Sequence, residues 1–382
     1  MIHAEGIPQR MVVVLLDGLG IDYLEQGPMP NLQAMRSSGF YCQVRAVVPT
    51  VTNVNNVSVC CGAWPEEHGI SANSYYDEAS RLPVYMNSSD LIRVDTVIQW
   101  ANKMGVKGAL LTAKRKSMEL FHCDAAIAVA AEAPSPEFVE RYGAPPDIYS
   151  SEINHWLWKV AIDLLKNNPE IGVIYLHTTD YPMHRWSPEE EESRQHLSKM
   201  DELIGEARSV APDAAFFITA DHGMNAKKRC WDLSRICAER GTPVQFTLSP
   251  ERDYYMVHHR NFAGSGWVWL NTESDEEAVR NICMSLEGVE EVIDRAEAEV
   301  RFHLPGEYIG DLMVLGDRDT VFGDLETSRE ELTGDYRAHG SLYEADVPLI
   351  IHGWNEKLPP AETFTHNLHL TRFLFYTGGV QL

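Results

Sequence analysis

Three clusters of acid and imidazole, far apart in a chain of 382 residues, have the ligand types of a metal centre: Asp17 in L-L-D-G-L-G, Asp180 and His184 in T-T-D-Y-P-M-H, and Asp221 and His222 in T-A-D-H-G. His339 follows in R-A-H-G. Asp180 and His184 are four apart with Pro182 between them, which suits one helical turn capped by Asp180 and brings carboxylate and imidazole together. Asp221 and His222 are adjacent, so in a regular strand their side chains diverge; they reach one ion only where the strand breaks into a turn, as Gly223 permits. One acid and histidine pair alone reads as an ordinary hydrogen bond. Six such residues in four places point to metal, and mixed Asp and His donors suit zinc, or manganese or iron, better than a thiolate site or a calcium cage. With Thr52 they suffice for two neighbouring divalent ions.

Thr52 lies in residues 46–73, AVVPTVTNVNNVSVCCGAWPEEHGISAN. A strand-like run (44–48) meets Pro49, a hydroxyl-rich turn follows, and an apolar segment (54–61) stops at Gly62. A strand-turn-helix of this kind presents orphan N–H groups and the positive end of the dipole, a natural seat for an anion. Thr52 also suits a plain N-cap. As a nucleophile its hydroxyl needs help in losing its proton, which two ions a few ångströms apart supply.

The elements that must position these residues alternate. Residues 11–16 form a strand apolar on both faces, as parallel central strands are, and deliver Asp17. A helix over 30–38, one over 95–104 and a strand over 108–112 follow, and directly after that strand comes Ala113-Lys114-Arg115-Lys116. Apolar residues at helical spacing mark 150–167 as an amphipathic helix feeding the strand 171–176, which ends at Asp180. The helix 188–210 opens on a Glu189–Glu192 run that reads as a solvated, dipole-favoured turn. It leads to the strand 214–219 and Asp221. Strands ending in acid or imidazole and separated by helices predict an α/β fold, a mainly parallel sheet with its site at the carboxyl ends. Short mixed elements from 230 to 303 predict an inserted α+β cap, with residues 1–229 and 304–382 as the core. Core-like strands resume at 309–315 and 347–351, and a closing helix lies near 368–376. There is no internal repeat, Walker loop or G-x-S-x-G elbow.

With 32 basic and 56 acidic residues the formal charge is −24, which argues against nucleic acid or an anionic membrane as partner. A small anionic substrate is compatible, because metal ions and a few lysines reverse the potential inside a cleft. The seven cysteines form no C-x-x-C pair, and the longest apolar run is too short to span a membrane. The expectation is a soluble, reduced, cytoplasmic protein, with a homodimer left open.

Taken together, Asp17, T-V-T-N-V-N-N, P-E-E-H-G-I-S-A-N, Asp180-x-x-x-His184, Asp221-His222-Gly223 and His339-Gly340 resemble the alkaline phosphatase superfamily. The branch is that of nucleotide pyrophosphatases/phosphodiesterases and phosphonoacetate hydrolase, and the resemblance covers the core from Asp17 to about Gly353. It implies an alkaline-phosphatase-like core with one metal on Asp180, His184 and His339, the other on Asp17, Asp221 and His222, and Thr52 as nucleophile and ligand. Asn73 and the backbone N–H beyond the nucleophile would hold phosphoryl oxygens. Lys114 and Lys116 resemble the pair with which phosphonoacetate hydrolase holds its substrate's carboxylate; solvated lysines after a strand are the plainer alternative. Tyr255-Met256-Val257-His258-His259 resembles a cap segment of that enzyme, in which His258 or His259 touches substrate or packs the cap, while Arg260-Asn261-Phe262 departs from the pattern. The implied activity is hydrolysis of phosphonoacetate or a close carboxylated phosphonate to phosphate and acetate through a phosphothreonine. The alternatives are a phosphodiesterase of nucleotide esters and a non-catalytic metal- or anion-binding homologue, the latter disfavoured by Thr52 and Asn73.

Overall fold

The computed structural model describes residues 9–121, 124–377 and 380–381; Cys123 lies outside them. Seven strands form the large sheet: β1 (Met11–Leu15), β2 (Phe40–Arg45), β3 (Lys107–Thr112), β4 (Ile127–Ala130), β5 (Ile171–His177), β6 (Ala215–Thr219) and β7 (Asp346–His352), in the spatial order β2-β7-β6-β1-β5-β3-β4. The five strands from β6 to β4 run parallel, and β7 is antiparallel to both β6 and β2. This is the alkaline-phosphatase-like α/β fold, with flanking helices that include Glu152–Asn167 packed on Glu191–Val210. The apolar stretch of β1 is buried throughout, as a central parallel strand with both faces covered requires.

The strand order places the chemistry. Leu15 pairs with Thr219 on one side and His177 on the other, and His177 pairs with Thr112 across β5 and β3. The carboxyl ends of β6, β1, β5 and β3 therefore carry Asp221, Asp17, Asp180 and Lys114 side by side. Hydrogen bonds fix the ends: Asp17 N–H donates to Thr178 Oγ1 at 2.8 Å, Gly18 N–H to Asp221 Oδ1 at 3.0 Å, and the Asn154 side chain clips both N–H and C=O of Thr179 at 2.8 Å. Gly18 has φ +75° and a side chain there would press on Asp180 Cβ at 3.0 Å, so the turn after Asp17 needs glycine.

A second sheet corrects two expectations. Phe246–Leu248, Ser265–Trp269, Leu312–Gly316 and Val289–Asp294 form, in that order, a four-stranded antiparallel sheet. The strand expected to resume the core at 309–315 is thus a central strand of this smaller sheet, which reaches beyond 303. Its uniformly apolar residues have a simple cause: Leu312 and Val314 pack under the helices Leu233–Glu239 and Glu276–Met284, while Met313 and Leu315 pack on Trp267, Trp269 and the core's Val48 and Tyr76. Arg229–Trp231, Thr320–Phe322 and Arg329–Glu331 add a three-stranded sheet. The strand read at 44–48 ends instead at Arg45, and the closing helix is the short His369–Arg372 followed by a 3-10 turn.

One buried ion pair joins two site-bearing loops. Lys227 Nζ lies 2.8 Å from Glu344 Oε1, both side chains fully buried, and Glu344 also accepts from Asn225 Nδ2 at 2.6 Å and from Ser341 N and Oγ at 3.0 and 2.6 Å. Asn225 and Lys227 follow Asp221-His222, and Ser341 follows His339, so the network sets the spacing of these ligands. Lys227→Met alone strands the carboxylate and should lower stability by about 3 to 5 kcal/mol. Lys227→Met with Glu344→Gln should lose clearly less, as read by urea denaturation; equal losses would assign the effect to packing.

Candidate metal and phosphoryl site

The helix Thr52–Cys61 is buried along its whole length, and its asparagines explain how a polar sequence tolerates that. Asn53 donates to Met86 O, Asn55 accepts from Val47 N–H at 2.7 Å and donates to Val47 O at 2.9 Å, and Asn56 bonds the Tyr175 hydroxyl and the His177 ring. Val51, not Thr52, takes the N-cap position, and no side chain caps the helix. The Thr52 hydroxyl is free of the capping role and lies 3.4 Å from His222 Nε2. Asn73 sits beside it, its Oδ1 accepting from Asn53 N–H at 3.3 Å. Thr50, in the same turn, accepts from Gly340 N–H at 3.0 Å through Oγ1 and from the His339 ring at 2.8 Å through its carbonyl.

All six expected ligands are buried and converge here. Asp17, Asp221 and His222 offer ligand atoms within 4.8 Å of one another, as do Asp180 with His222 and His339, and Asp180 with His184 and His258. Asp180 is shared by the last two groups: its Oδ2 lies 2.8 Å from His184 Nε2 and 3.6 Å from His339 Nε2. Asp180 stands at the N-cap of Tyr181–Arg185 but makes no capping bond, so its carboxylate stays available.

The donor chemistry fits divalent ions. Both Asp17 oxygens, Asp180 Oδ1, Asp221 Oδ2, His184 Nε2 and His339 Nε2 are buried without a hydrogen-bond partner. At each of three histidines the other ring nitrogen faces a backbone carbonyl: His184 Nδ1 to Arg337 at 2.8 Å, His339 Nδ1 to Thr50 at 2.8 Å and His222 Nδ1 to Gly223 at 3.0 Å. Donation of Nδ1–H turns each Nε2 into the cluster, the arrangement of a metal-ligating imidazole; at His184, which burial lowers but Asp180 raises above the usual range, a metal would displace the proton shared with that carboxylate. Burial holds His222, His258 and His339 below the usual histidine range, so they are neutral. Burial opposes charge on Asp180 too, but His184 and Lys114 outweigh it and keep that carboxyl well below the usual range; burial and the Asp17 charge push Asp221 well above it.

Comparison with known proteins agrees with this geometry. The family model for type I phosphodiesterase / nucleotide pyrophosphatase matches residues 11–342. The chain belongs to that family. Bis(5'-adenosyl)-triphosphatase enpp4 of Mus musculus is 27% identical over 264 residues, 63% of this chain and 53% of the relative. Venom phosphodiesterase of Macrovipera lebetinus is 25% identical over 56% of this chain and 25% of its own. The chain thus spans about half the length of the first and a quarter of the second. Phosphonoacetate hydrolase from Sinorhizobium meliloti 1021, solved with phosphonoacetate, superposes with a TM-score of 0.86 at 26% identity over 96% of both chains. Murine ENPP5, at 16% identity and a TM-score of 0.68, shares the fold.

Sequence reasoning missed several residues of this phosphodiesterase-family site. His177 Nε2 lies 3.3 Å from Asp17 Oδ2, with Asn56 fixing its other nitrogen. The buried Arg337 guanidinium ties together Met183 O, Met224 O and the Tyr23 hydroxyl at 2.9 to 3.1 Å. The segment Ser249–Arg260 brings five side chains inward. Glu251 lies 3.7 Å from His259 and 3.8 Å from His339, and burial pushes its carboxyl up to about 7. Asp253 pairs with Lys116, and the Tyr255 hydroxyl donates to Glu132 at 2.6 Å. His258 faces Asp180 at 3.8 Å, while His259 turns to Glu251. Lys114 and Lys116 are not solvated: each is 3% exposed, and Lys114 lies 3.6 Å from Asp180.

Removal of bound metal should be visible without any turnover. If these ligands hold ions only in the folded chain, metal at a hundred to a thousand times its dissociation constant stabilises by about 3 to 4 kcal/mol. A chelated sample should melt several degrees lower and recover on adding zinc. An unchanged melting temperature would contradict a folded-state metal centre.

Proposed function

We propose that this chain is a two-zinc hydrolase that cleaves the carbon–phosphorus bond of phosphonoacetate, or of a close carboxylated phosphonate, giving phosphate and acetate. The observation that carries the proposal is the buried lysine pair at the end of β3, beside the Asp180 cluster. Lys116 is paired with Asp253, but Lys114, whose nearest acid belongs to the metal cluster, is a cation taken out of water at a phosphoryl site, and an anionic group on the substrate besides the phosphoryl oxygens would match it. The likeness to phosphonoacetate hydrolase over 96% of both chains supports the same assignment.

In this proposal Asp17, Asp221 and His222 hold one ion, and Asp180, His184 and His339 the other, with His258 lining the substrate side. Bound divalent ions lower the pKa of a hydroxyl and neutralise charge on phosphoryl oxygens. The chain's own residues do the rest. The Thr52 oxygen attacks phosphorus in line while the P–C bond breaks, its electron pair leaving on carbon as the enolate of acetate, which takes a proton from solvent. Asn73 Nδ2 and the Asn53 N–H, which here reach Glu251 O and Asn73 Oδ1 at 3.5 and 3.3 Å, would turn to the phosphoryl oxygens of a bound substrate. Lys114 and Lys116 hold the carboxylate and stabilise the charge that develops on it. Water then attacks the phosphothreonine, releasing phosphate and restoring Thr52.

The family and the curated relatives favour a second reading, hydrolysis of nucleotide phosphodiesters, in which an alkoxide or phosphate leaves and no carboxylate clamp is needed. One comparison separates the two. Lys114→Ala should lower kcat/KM for phosphonoacetate about tenfold to a hundredfold, the worth of a charge-assisted hydrogen bond. It should change turnover of a nitrophenyl phosphodiester much less. Thr52→Ala should abolish both activities by several decades while metal content stays the same. Equal loss on both substrates in Lys114→Ala would remove the carboxylated-phosphonate assignment and leave the two-metal hydrolase standing.

A further inference from the structure

The lysines at the end of β3 do not face the cleft alone. Asp253 sets Oδ2 on the Lys116 ammonium, and both side chains are 3% exposed. Its Oδ1 accepts the Tyr254 N–H at 2.6 Å, and its own N–H donates to Asn261 Oδ1 at 2.9 Å. Arg260 and Asn261 both have left-handed backbone, φ +51° and +60°, and this turn brings the Asn261 side chain back to Asp253. The carboxylate is thus positioned by its own segment and does not depend on Lys116 for its place.

The surrounding charges can be counted. Lys114 and Lys116 lie 5.6 and 5.7 Å from the centre of the Tyr255 ring, so an uncharged aromatic face closes one side of the pair. Asp180, the acid nearest Lys114, belongs to the metal cluster; Glu251 lies against His259 and His339 and also within the field of both lysines, with its carboxyl pushed up to about 7 by burial. Burial and the Lys114 charge lower Lys116 to about 7; with Asp253 set on it the two form a neutral pair, which leaves Lys114 as the one uncompensated positive charge on the wall away from the metals.

We propose that Asp253 is a specificity-determining residue that sets this wall to accept a substrate tail carrying one negative charge and to reject tails carrying two. The proposal rests on the lysine pair being the seat of the tail, as in the function proposed above. One carboxylate neutralises the wall. A dicarboxylate leaves an uncompensated negative charge in a site closed to water, where such a charge is far more costly than in solution. Asp253 is then the repulsive element that narrows what two lysines would otherwise attract.

Three inhibitors of nitrophenyl phosphodiester turnover by the metal-loaded enzyme test this: phosphonoacetamide, phosphonoacetate and phosphonosuccinate, whose tails carry zero, one and two negative charges. The wild type should prefer phosphonoacetate. In Asp253→Asn the inhibition constant of phosphonosuccinate should fall about tenfold relative to phosphonoacetate, the scale of one charge-assisted contact, with phosphonoacetamide unchanged. An unaltered ratio, or equal change for all three, overturns the role of Asp253. Lys114→Ala is the control for the underlying reading: if it does not weaken phosphonoacetate relative to phosphonoacetamide, the lysines do not seat the tail and that reading fails instead. Should Asp253→Asn not fold, Lys116→Met with Asp253→Asn removes the buried pair as a unit and keeps the net charge at one. It should retain the preference for phosphonoacetate over phosphonoacetamide that Lys116→Met alone loses; loss in both would count against charge balance and for a direct Lys116 contact.

Discussion

Three carboxylates, those of Asp17, Asp180 and Asp221, are forced together out of water at the ends of three adjacent parallel strands, and the rest of the site answers that repulsion. Like charges in a medium of low effective dielectric cost several kcal/mol unless cations or protons accompany them. The chain supplies partial compensation through Lys114 against Asp180 and the His177 ring against Asp17. Divalent ions would supply the remainder at the unpartnered oxygens and ring nitrogens. The fold makes this crowding unavoidable, because hydrogen-bonded neighbours in the order β6-β1-β5 cannot deliver their terminal acids anywhere else.

Rigidity follows from how the histidines are held. The Nδ1 partners of His184, His222 and His339 are main-chain carbonyls, so the ring orientations are set by the backbone and not by mobile side chains. Thr50 bridges the nucleophile turn to the His339 loop, and Glu344 with Lys227 bridges that loop to the one after His222. The Thr52 turn, the clustered acids and imidazoles and their supports form one connected unit whose parts come from five separate stretches of chain.

The convergence of these acids and imidazoles was legible in the sequence because most sit where an apolar run stops, and a run that is apolar on both faces has few other meanings than a central parallel strand. The same logic misplaced residues 309–315. Leu312–Gly316 is covered on both faces, by the helices Leu233–Glu239 and Glu276–Met284 on one side and by the helix Arg295–Phe302 with the core's Val48 and Tyr76 on the other, so its pattern is that of a core strand although it lies in the smaller sheet. Asp253 and Glu251 stayed hidden for a different reason. S-P-E-R-D-Y-Y carries no periodicity, and Lys116, the partner that gives Asp253 its meaning, is 137 positions away. Thr52 looked as suited to capping as to chemistry; only the backbone, by putting Val51 at the cap, separates the two.

Most of the side chains that would hold metal follow strands of the large sheet, His339 follows the short strand Arg337–Ala338 outside it, and five more that close on the same cluster and its lysines come from the twelve residues Ser249–Arg260. That division makes the site evolvable. Substitutions within that one short segment would alter the wall of the cleft and leave the residues at the strand ends as they are. A chain that kept its strand ends and exchanged this single inward-facing stretch would acquire a new cleft wall without rebuilding the strands that carry its acids.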